Sequence, residues 1–207
     1  MKTDNIYWYG HASFRIEDNG KQLFFDPWKI QASAPKADYI FITHSHYDHY
    51  SAGDVENLSG ENTKIFCSSD VADKEGKAAI PMSPNQTIKH DALKITAIPA
   101  YNIDKQFHPK ENNWVGYVIT LSDGTTIYFA GDTDFIHEIK SLQVDIALLP
   151  VSGTYVMNAE EAIEAANTFK PKIAIPMHFG DIVGSLADAE KFKQGFDGET
   201  VILKPVK

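Results

Sequence analysis

Short apolar runs separated by turn residues recur along the chain, and this pattern predicts a sheet-rich α/β protein. The strongest hairpin signal is Asp18-Asn19-Gly20-Lys21, which joins strands predicted at 13–17 and 22–25. Continuous apolar character marks the segment 38–42 as a buried strand. Further strands are predicted at 6–9, 64–67, 86–90, 93–98, 115–121, 125–130, 144–149, 172–176 and 201–203. Antiparallel strands early in the chain and strand–helix alternation later indicate stacked sheets with helices outside.

Helical periodicity is clearest at 158–169, where Asn158 is a good N-cap and Glu161 stands at the capping-box position. Pro171 ends this helix. Weaker helices are predicted at 51–58, 133–142 and 186–194. Because no linker or repeat divides the chain, we expect residues 1–207 to form a single domain.

Composition and charge exclude several classes of protein. The 207 residues are 43% hydrophobic and 23% charged, which is ordinary for a folded domain. The net charge of -9 argues against a surface for long nucleic acid or anionic membranes. No apolar run approaches the roughly 20 residues of a membrane span, and no export signal is visible. We therefore expect a cytoplasmic protein with a small-molecule substrate, and its oligomeric state stays open.

The strongest chemical signal is Thr43-His44-Ser45-His46-Tyr47-Asp48-His49, directly after the strand predicted at 38–42. Imidazole nitrogen and carboxylate oxygen are ligands that divalent ions accept. Residues two apart point the same way in an extended segment, so His44 and His46 can hold one ion. After the chain turns, Asp48 and His49 can face a second ion. The alternative is a polar loop whose histidines are satisfied by hydrogen bonds.

Two further candidate ligands come from distant parts of the chain, each just after a predicted strand. Asp132 follows Ala130-Gly131, and His178 follows Ile175-Pro176-Met177. A carboxylate at a strand end can bridge two cations by offering one oxygen to each. Taken alone, Asp132 also fits a helix N-cap and His178 also fits an ordinary loop histidine. Combined with the motif at 43–49, both are predicted to be metal ligands.

Together these motifs resemble the metallo-β-lactamase superfamily of metal-dependent hydrolases. The segments 9–14 and 23–27 look like its small branch of ascorbate-6-phosphate lactonase-like and N-acyl-phosphatidylethanolamine phospholipase D-like proteins. The resemblance covers about residues 7–180 and implies a four-layer αββα sandwich of two mixed β-sheets with helices outside. It also implies two divalent metal ions per chain, and the nitrogen and oxygen ligands admit Zn, Mn or Fe.

One position departs from the pattern of these relatives, which place a third histidine in a Pro-Ala-x-His segment. This chain has Asn102 at that position, and a neutral amide is a weak ligand for such ions. We therefore expect His108, six residues later, to fold back as the replacement ligand, with Asn102 holding the loop or a water. The alternative is an exposed loop histidine, in which case only one ion is held firmly.

Two residues near the N-terminus are predicted to support the ligands or to contact substrate. A ligating imidazole usually donates its other N–H to a carboxylate or carbonyl, and Asp26 can accept such a bond. Asp26 can equally make a turn before Pro27. His11 follows Gly10 in a predicted turn, where it can approach the metals or a substrate oxyanion, or simply pack.

The expected reaction is hydrolysis of an ester-type bond by a water that the cations activate. Asp48 or Asp132 is predicted to move the proton. Because the sequence has no Gly-x-Ser-x-Gly elbow and no P-loop, metal-activated water is the only nucleophile that it supports. Lys105 and Lys110 flank His108 and favour a phosphodiester or phosphorylated small molecule. A lactonase is the alternative enzyme. A noncatalytic metal-binding or sensing protein is the alternative from another class, and Asn102 favours it.

Overall fold

The computed structural model describes residues 3–75 and 79–206. The chain divides into two compact units, one formed by Met1–Met82 with Lys204–Lys207 and the other by Ser83–Leu203. Each unit contains one mixed β-sheet and helices. The single domain expected over 1–207 stays a prediction.

The first unit is built on a six-stranded sheet with two helices. The bounds are β1 Ile6–Gly10, β2 Ser13–Asp18, β3 Lys21–Phe25, β4 Tyr39–Ile42, α1 Ala52–Leu58, β5 Lys64–Cys67, α2 Ser69–Glu75 and β6 Ala79–Pro81. The strands lie in the order β1-β2-β3-β4-β5-β6. The strands β1 to β3 pair antiparallel, and β3 to β6 pair parallel.

Local sequence explains the hairpin and the buried strand of this unit. Asn19 and Gly20 both have positive φ, at 48° and 79°, as the tight turn between β2 and β3 requires. Every residue of β4 is buried, which fits a strand with parallel neighbours on both sides. Val55 and Leu58 of α1 pack in the same apolar cluster as Ile40 and Ile42 of β4. This packing holds the end of β4, and hence the segment 43–49, in place.

The second unit is built on a seven-stranded sheet. The bounds are β7 Thr87–His90, β8 Leu93–Pro99, β9 Val115–Thr120, β10 Thr126–Phe129, β11 Ile146–Pro150, α3 Ala159–Phe169, β12 Ile173–Met177, α4 Leu186–Gly195 and β13 Glu199–Thr200. The strands lie in the order β13-β12-β11-β10-β9-β8-β7, with β7 to β10 paired antiparallel and β10 to β13 paired parallel. The predicted capping box is present in α3, where Asn158 and Glu161 each accept from the other's backbone N–H.

Two predicted elements are wrong. The segment 133–142 is not an α-helix and contains only a short 3-10 turn at His137–Ile139. Its first residues bond to other loops instead, since Asp134 N–H donates to Tyr101 O and Thr133 O accepts from Met157 N–H. The last strand lies at Glu199–Thr200 rather than 201–203, although Val201 N–H still donates to Ala174 O. The short elements α2 and β6 were not predicted.

Among the described residues, none of the helices combines the length and apolar character needed to cross a membrane.

Candidate metal-binding clusters

The first group of predicted ligands lies where β3 and β4 end. These strands are parallel neighbours, so their carboxyl ends meet at one edge of the sheet. Asp26 follows β3, and the segment 43–49 follows β4 and turns back on itself, with His49 N–H donating to His46 O at 3.0 Å. The N-terminal cluster is defined here as His11, His44, His46, Asp48 and His49.

Asp26 supports this cluster from a fully buried position with a positive φ of 41°. Its Oδ2 accepts from His49 Nδ1 at 2.7 Å and from the Thr43 hydroxyl at 2.7 Å. Its Oδ1 accepts from Thr43 N–H at 2.8 Å. Burial raises the pKa of the Asp26 carboxyl, while His49 and Thr43 oppose that shift. Because Asp26 occupies His49 Nδ1, the other ring nitrogen of His49 is the one that can bind an ion.

Thr43 determines which ring nitrogen of His44 carries the proton, as Asp26 does for His49. The single Thr43 hydroxyl proton is donated to Asp26, so Thr43 Oγ1 accepts from His44 Nδ1 at 2.9 Å. That bond leaves His44 Nε2 with its lone pair, 3.1 Å from His46 Nδ1. Two nitrogen ligands on one tetrahedral ion with bonds of about 2.0–2.1 Å lie about 3.3 Å apart. The spacing of the two nitrogens therefore fits a shared ion.

The remaining members of the N-terminal cluster surround Asp48. His11 Nε2 lies 3.0 Å from Asp48 Oδ2, and His49 Nε2 lies 3.8 Å from the same oxygen. The three residues each offer one ligand atom, and these atoms lie within 4.8 Å of one another. His11 is fully buried in a left-handed turn with φ 49°. His11 thus faces Asp48 directly, and it has the chemistry to serve as a ligand or as a proton acceptor.

The second group of predicted ligands lies in the other unit, at the ends of strands and in the loop between β8 and β9. Asp132 follows β10, and His178 follows β12 at a positive φ of 61°. The parallel order β10, β11, β12 brings these carboxyl ends to the same edge of the sheet. The C-terminal cluster is defined here as His108, Asp132 and His178, which are all buried.

The loop 101–113 brings His108 back toward Asp132. Asn102 Oδ1 accepts from His108 N–H and from His108 Nδ1, each at 3.0 Å. In return, Asn102 N–H donates to His108 O at 2.8 Å. The side-chain N–H groups of Asn102 donate to Asp134 and to Tyr155 O, so this amide holds the loop and does not face a ligand position. Since Nδ1 of His108 donates to Asn102, its Nε2 is the atom that faces Asp132.

A single carboxylate oxygen lies close to both histidines of the C-terminal cluster. Asp132 Oδ2 lies 3.1 Å from His108 Nε2 and 3.2 Å from His178 Nε2. His178 Nδ1 contacts the Ser152 hydroxyl at 3.0 Å, and Ser152 comes from the loop after β11. These distances fit oxygen and nitrogen ligands around a divalent ion as well as they fit ion pairs with protonated histidines.

Residues 5–178 match the family described as Beta-lactamase superfamily domain. The chain belongs to the metallo-β-lactamase superfamily. Its relatives include UPF0173 metal-dependent hydrolases of Thermoplasma acidophilum, 32% identical over 100% of this chain and 98% of the relative, and of Thermococcus onnurineus, 35% identical over 97% and 96%. This member of the superfamily is accordingly a metal-dependent hydrolase, and the noncatalytic alternative is not favoured.

Solved structures agree with this assignment. A crystal structure from Parabacteroides distasonis has a TM-score of 0.86 at 31% identity, covering 95% of this chain and 91% of that chain. Igni18, a metallo hydrolase from Ignicoccus hospitalis, has a TM-score of 0.81 at 25% identity, covering 98% and 95%. The predicted fold class, an α/β metallo-β-lactamase fold with two mixed β-sheets and helices, is confirmed.

Several residues that contact the predicted ligands, or the loop that carries one of them, have no role in the sequence analysis. Thr43 stands inside the predicted motif but was given no role, although it connects Asp26 to His44. Ser152 has no motif of its own and is found only through its contact with His178. Asp134 follows Asp132 by two positions and proves to be buried against the loop that carries His108. Proximity to a ligand in sequence was the only signal for Thr43 and Asp134.

Proposed function

We propose that this metal-dependent hydrolase binds two divalent ions per chain and cleaves an ester-type bond in a small molecule. The proposed ligands are the residues whose nitrogen and oxygen atoms converge within each cluster, with Zn, Mn or Fe as candidate ions. They are His44, His46, Asp48, His49, His108, Asp132 and His178.

The contact between His108 and Asp132 carries this proposal. His108 Nδ1 donates to Asn102, so in the neutral ring Nε2 has a lone pair. That lone pair faces the acceptor oxygen Asp132 Oδ2 at 3.1 Å. Two acceptors at this distance repel unless a proton or a cation lies between them. His178 Nε2 lies only 3.2 Å from the same oxygen, so these three residues would together hold a divalent cation.

Different residues of the two clusters have different proposed roles in such a reaction. Bound divalent ions lower the pKa of a water and polarise the oxygen of the electrophile. Asp48 Oδ2 is proposed to accept a proton, and His11 Nε2, 3.0 Å away, is placed to share it. Asp26 and Asn102 hold the rings of His49 and His108 in the tautomers that leave Nε2 available. Asp132 is proposed to offer Oδ2 to the ion of the C-terminal cluster.

The surroundings of the His108 loop favour a neutral substrate over a phosphorylated one. Lys105 Nζ donates to Asp134 at 2.6 Å, and Lys110 Nζ donates to Glu138 at 3.1 Å. Both lysines are therefore engaged with carboxylates, which weakens the sequence-based reason for a phosphate ligand. The same loop exposes Ile103 and Phe107 at 60% and 48%. We propose a carboxylic ester or lactone as the substrate class, with a phosphodiester as the competing class.

The test is an ester panel assayed after reconstitution with Mn²⁺, Zn²⁺ or Fe²⁺. A p-nitrophenyl carboxylate ester and a simple lactone are compared with bis(p-nitrophenyl) phosphate. Turnover of the carboxylic substrates is expected, and Asp48→Ala is expected to abolish it. Asp38→Ala is the matched control, because Asp38 is another carboxylate of the first unit that pairs with Lys21 and belongs to neither cluster. Faster turnover of the phosphodiester would reverse the substrate assignment. Metal-loaded protein that hydrolyses no ester would overturn the proposed reaction.

A further inference from the structure

We propose that Asp134, with Lys105 as its counter-ion, is a positioning residue that sets the orientation of His108 through Asn102. The inference rests on the proposed role of His108 as a metal ligand. Asp134 is 4% exposed and lies two residues after Asp132. None of the sequence motifs assigned it a role, and it does not contact the C-terminal cluster through any described hydrogen bond.

The Asp134 carboxylate holds the start of the His108 loop at three points. Its Oδ1 accepts from Asn102 Nδ2 at 3.1 Å and from Lys105 Nζ at 2.6 Å. Its Oδ2 accepts from Ile103 N–H at 2.8 Å. Asp134 N–H also donates to Tyr101 O at 3.0 Å, so the backbone and the side chain of Asp134 both bond to the start of the His108 loop. A carboxylate is required here, because every side-chain contact is with a donor.

The acceptors around Asn102 fix which way its amide faces. Its NH₂ group is bound by two acceptors, Asp134 Oδ1 and Tyr155 O, so its oxygen must face His108. That oxygen accepts from both the backbone N–H and the Nδ1 of His108. A flipped amide would place its NH₂ group against the His108 backbone N–H, which is itself a donor. Asp134, together with Tyr155 O and the His108 backbone N–H, therefore selects the His108 tautomer that carries its proton on Nδ1 rather than on Nε2.

Lys105 balances the charge that this arrangement buries. An ionised carboxylate is costly to bury unless it is paired and hydrogen-bonded. The Lys105 side chain is only 22% exposed and reaches Glu161 at 4.0 Å in addition to Asp134. Lys105 supplies charge and Asp134 supplies the acceptor geometry. Replacing Asp134 should consequently change the orientation of His108, whereas replacing Lys105 should change mainly the stability of the protein.

The test compares Asp134→Asn with Lys105→Met, and Asp104→Asn serves as the control because Asp104 is an exposed carboxylate of the same loop. An amide at 134 has one oxygen where the carboxylate has two, so it must set its NH₂ against either Asn102 and Lys105 or the Ile103 N–H. Partners of ligating histidines contribute about 10–100-fold to metal affinity, and for Asp134→Asn we expect a loss of about tenfold. Affinity is measured by calorimetric titration of the metal-free protein with Zn²⁺ or Mn²⁺.

The second readout is the tautomer of His108, measured by ¹⁵N NMR of the imidazole nitrogens in metal-free protein. Asp134→Asn is expected to reduce the fraction with Nδ1 protonated, whereas Lys105→Met lowers the melting temperature and keeps the tautomer. A merely structural anchor would lower the melting temperature in both variants and leave the tautomer unchanged, which would overturn the proposal. If Asp134→Asn does not fold, the double variant Asp134→Asn/Lys105→Met, which removes both charges, carries the same comparison.

The two proposals fail in different ways. Wild-type protein that binds no divalent ion would refute the proposed function, while the tautomer measurement would still test the role of Asp134. Wild-type affinity together with the wild-type tautomer in Asp134→Asn would refute the positioning role alone.

Discussion

Replacing Asp26 with asparagine should disable two histidines of the N-terminal cluster at once. The Oδ1 of Asp26 accepts from Thr43 N–H, and its Oδ2 accepts from both the Thr43 hydroxyl and His49 Nδ1. If the amide oxygen of the substituted side chain keeps the backbone bond, its NH₂ group faces His49 Nδ1. His49 must then move its proton from Nδ1 to Nε2, and a protonated Nε2 cannot bind a metal ion.

The same substitution changes His44 through Thr43. The introduced NH₂ group donates to the Thr43 hydroxyl, which then turns its own proton toward His44 Nδ1, 2.9 Å away. His44 in that state carries its proton on Nε2, the nitrogen that faces His46. Partners of this kind contribute about 10–100-fold each to metal affinity, and with both histidines affected we expect the upper end, about 100-fold or 2.7 kcal/mol.

Calorimetric titration of metal-free protein with Zn²⁺ measures this loss, and ¹⁵N NMR of the imidazole nitrogens reports the two tautomers. The matched control is Asp38→Asn, since Asp38 also accepts from a backbone N–H, that of Gln22 at 2.9 Å, and also lies in the first unit. We expect the control to bind Zn²⁺ like the wild-type protein. Wild-type affinity in Asp26→Asn would show that the hydrogen-bond chain through Asp26 and Thr43 does not prepare the ligands.

Three further predictions concern stability and reactivity. Gly116→Ala places a Cβ 2.5 Å from Ala130 O, so thermal and urea unfolding should show a loss of about 1–3 kcal/mol, and an unchanged midpoint would contradict this clash. Burial raises the pKa of the Cys67 thiol to about 12, so a disulfide reagent at pH 8 should modify it only after unfolding, and rapid labelling of native protein would refute this. Asp145→Asn should lower the free energy of unfolding by at most about 1 kcal/mol at pH 7, because Lys172, which lowers the pKa of Asp145 together with Thr126, is itself 72% exposed. That stabilisation is complete above the ordinary pKa of 3.8 and is lost as the pH falls through the lower pKa of the folded protein. The variant should therefore lack this part of the acid dependence of stability. An acid unfolding profile like that of the wild-type protein would contradict this prediction.

Local chemistry made much of the fold predictable. The Asn19-Gly20 turn and the Asn158 capping box depend on neighbours within a few residues, and both occur as predicted. The segment 133–142 shows where local patterns fail. Its helical pattern is overridden because Tyr101 and Met157, distant in sequence, bond to its first residues. Tertiary hydrogen bonds thus determine the structure of a segment whose helix propensity is weak.

The sequence by itself predicted which side chains are candidate metal ligands, because these residues follow predicted strands and strand ends are readable from apolar runs. It also determined the family, through motifs that are local. Only the tertiary structure decided what each polar side chain does near those ligands. Asn102 turns its amide to the loop while His108 turns Nε2 to Asp132, and Asp134 and Thr43 act through other residues. Such roles depend on which donor meets which acceptor across many residues of chain, and that pairing is set by the folded backbone rather than by spacing along the sequence.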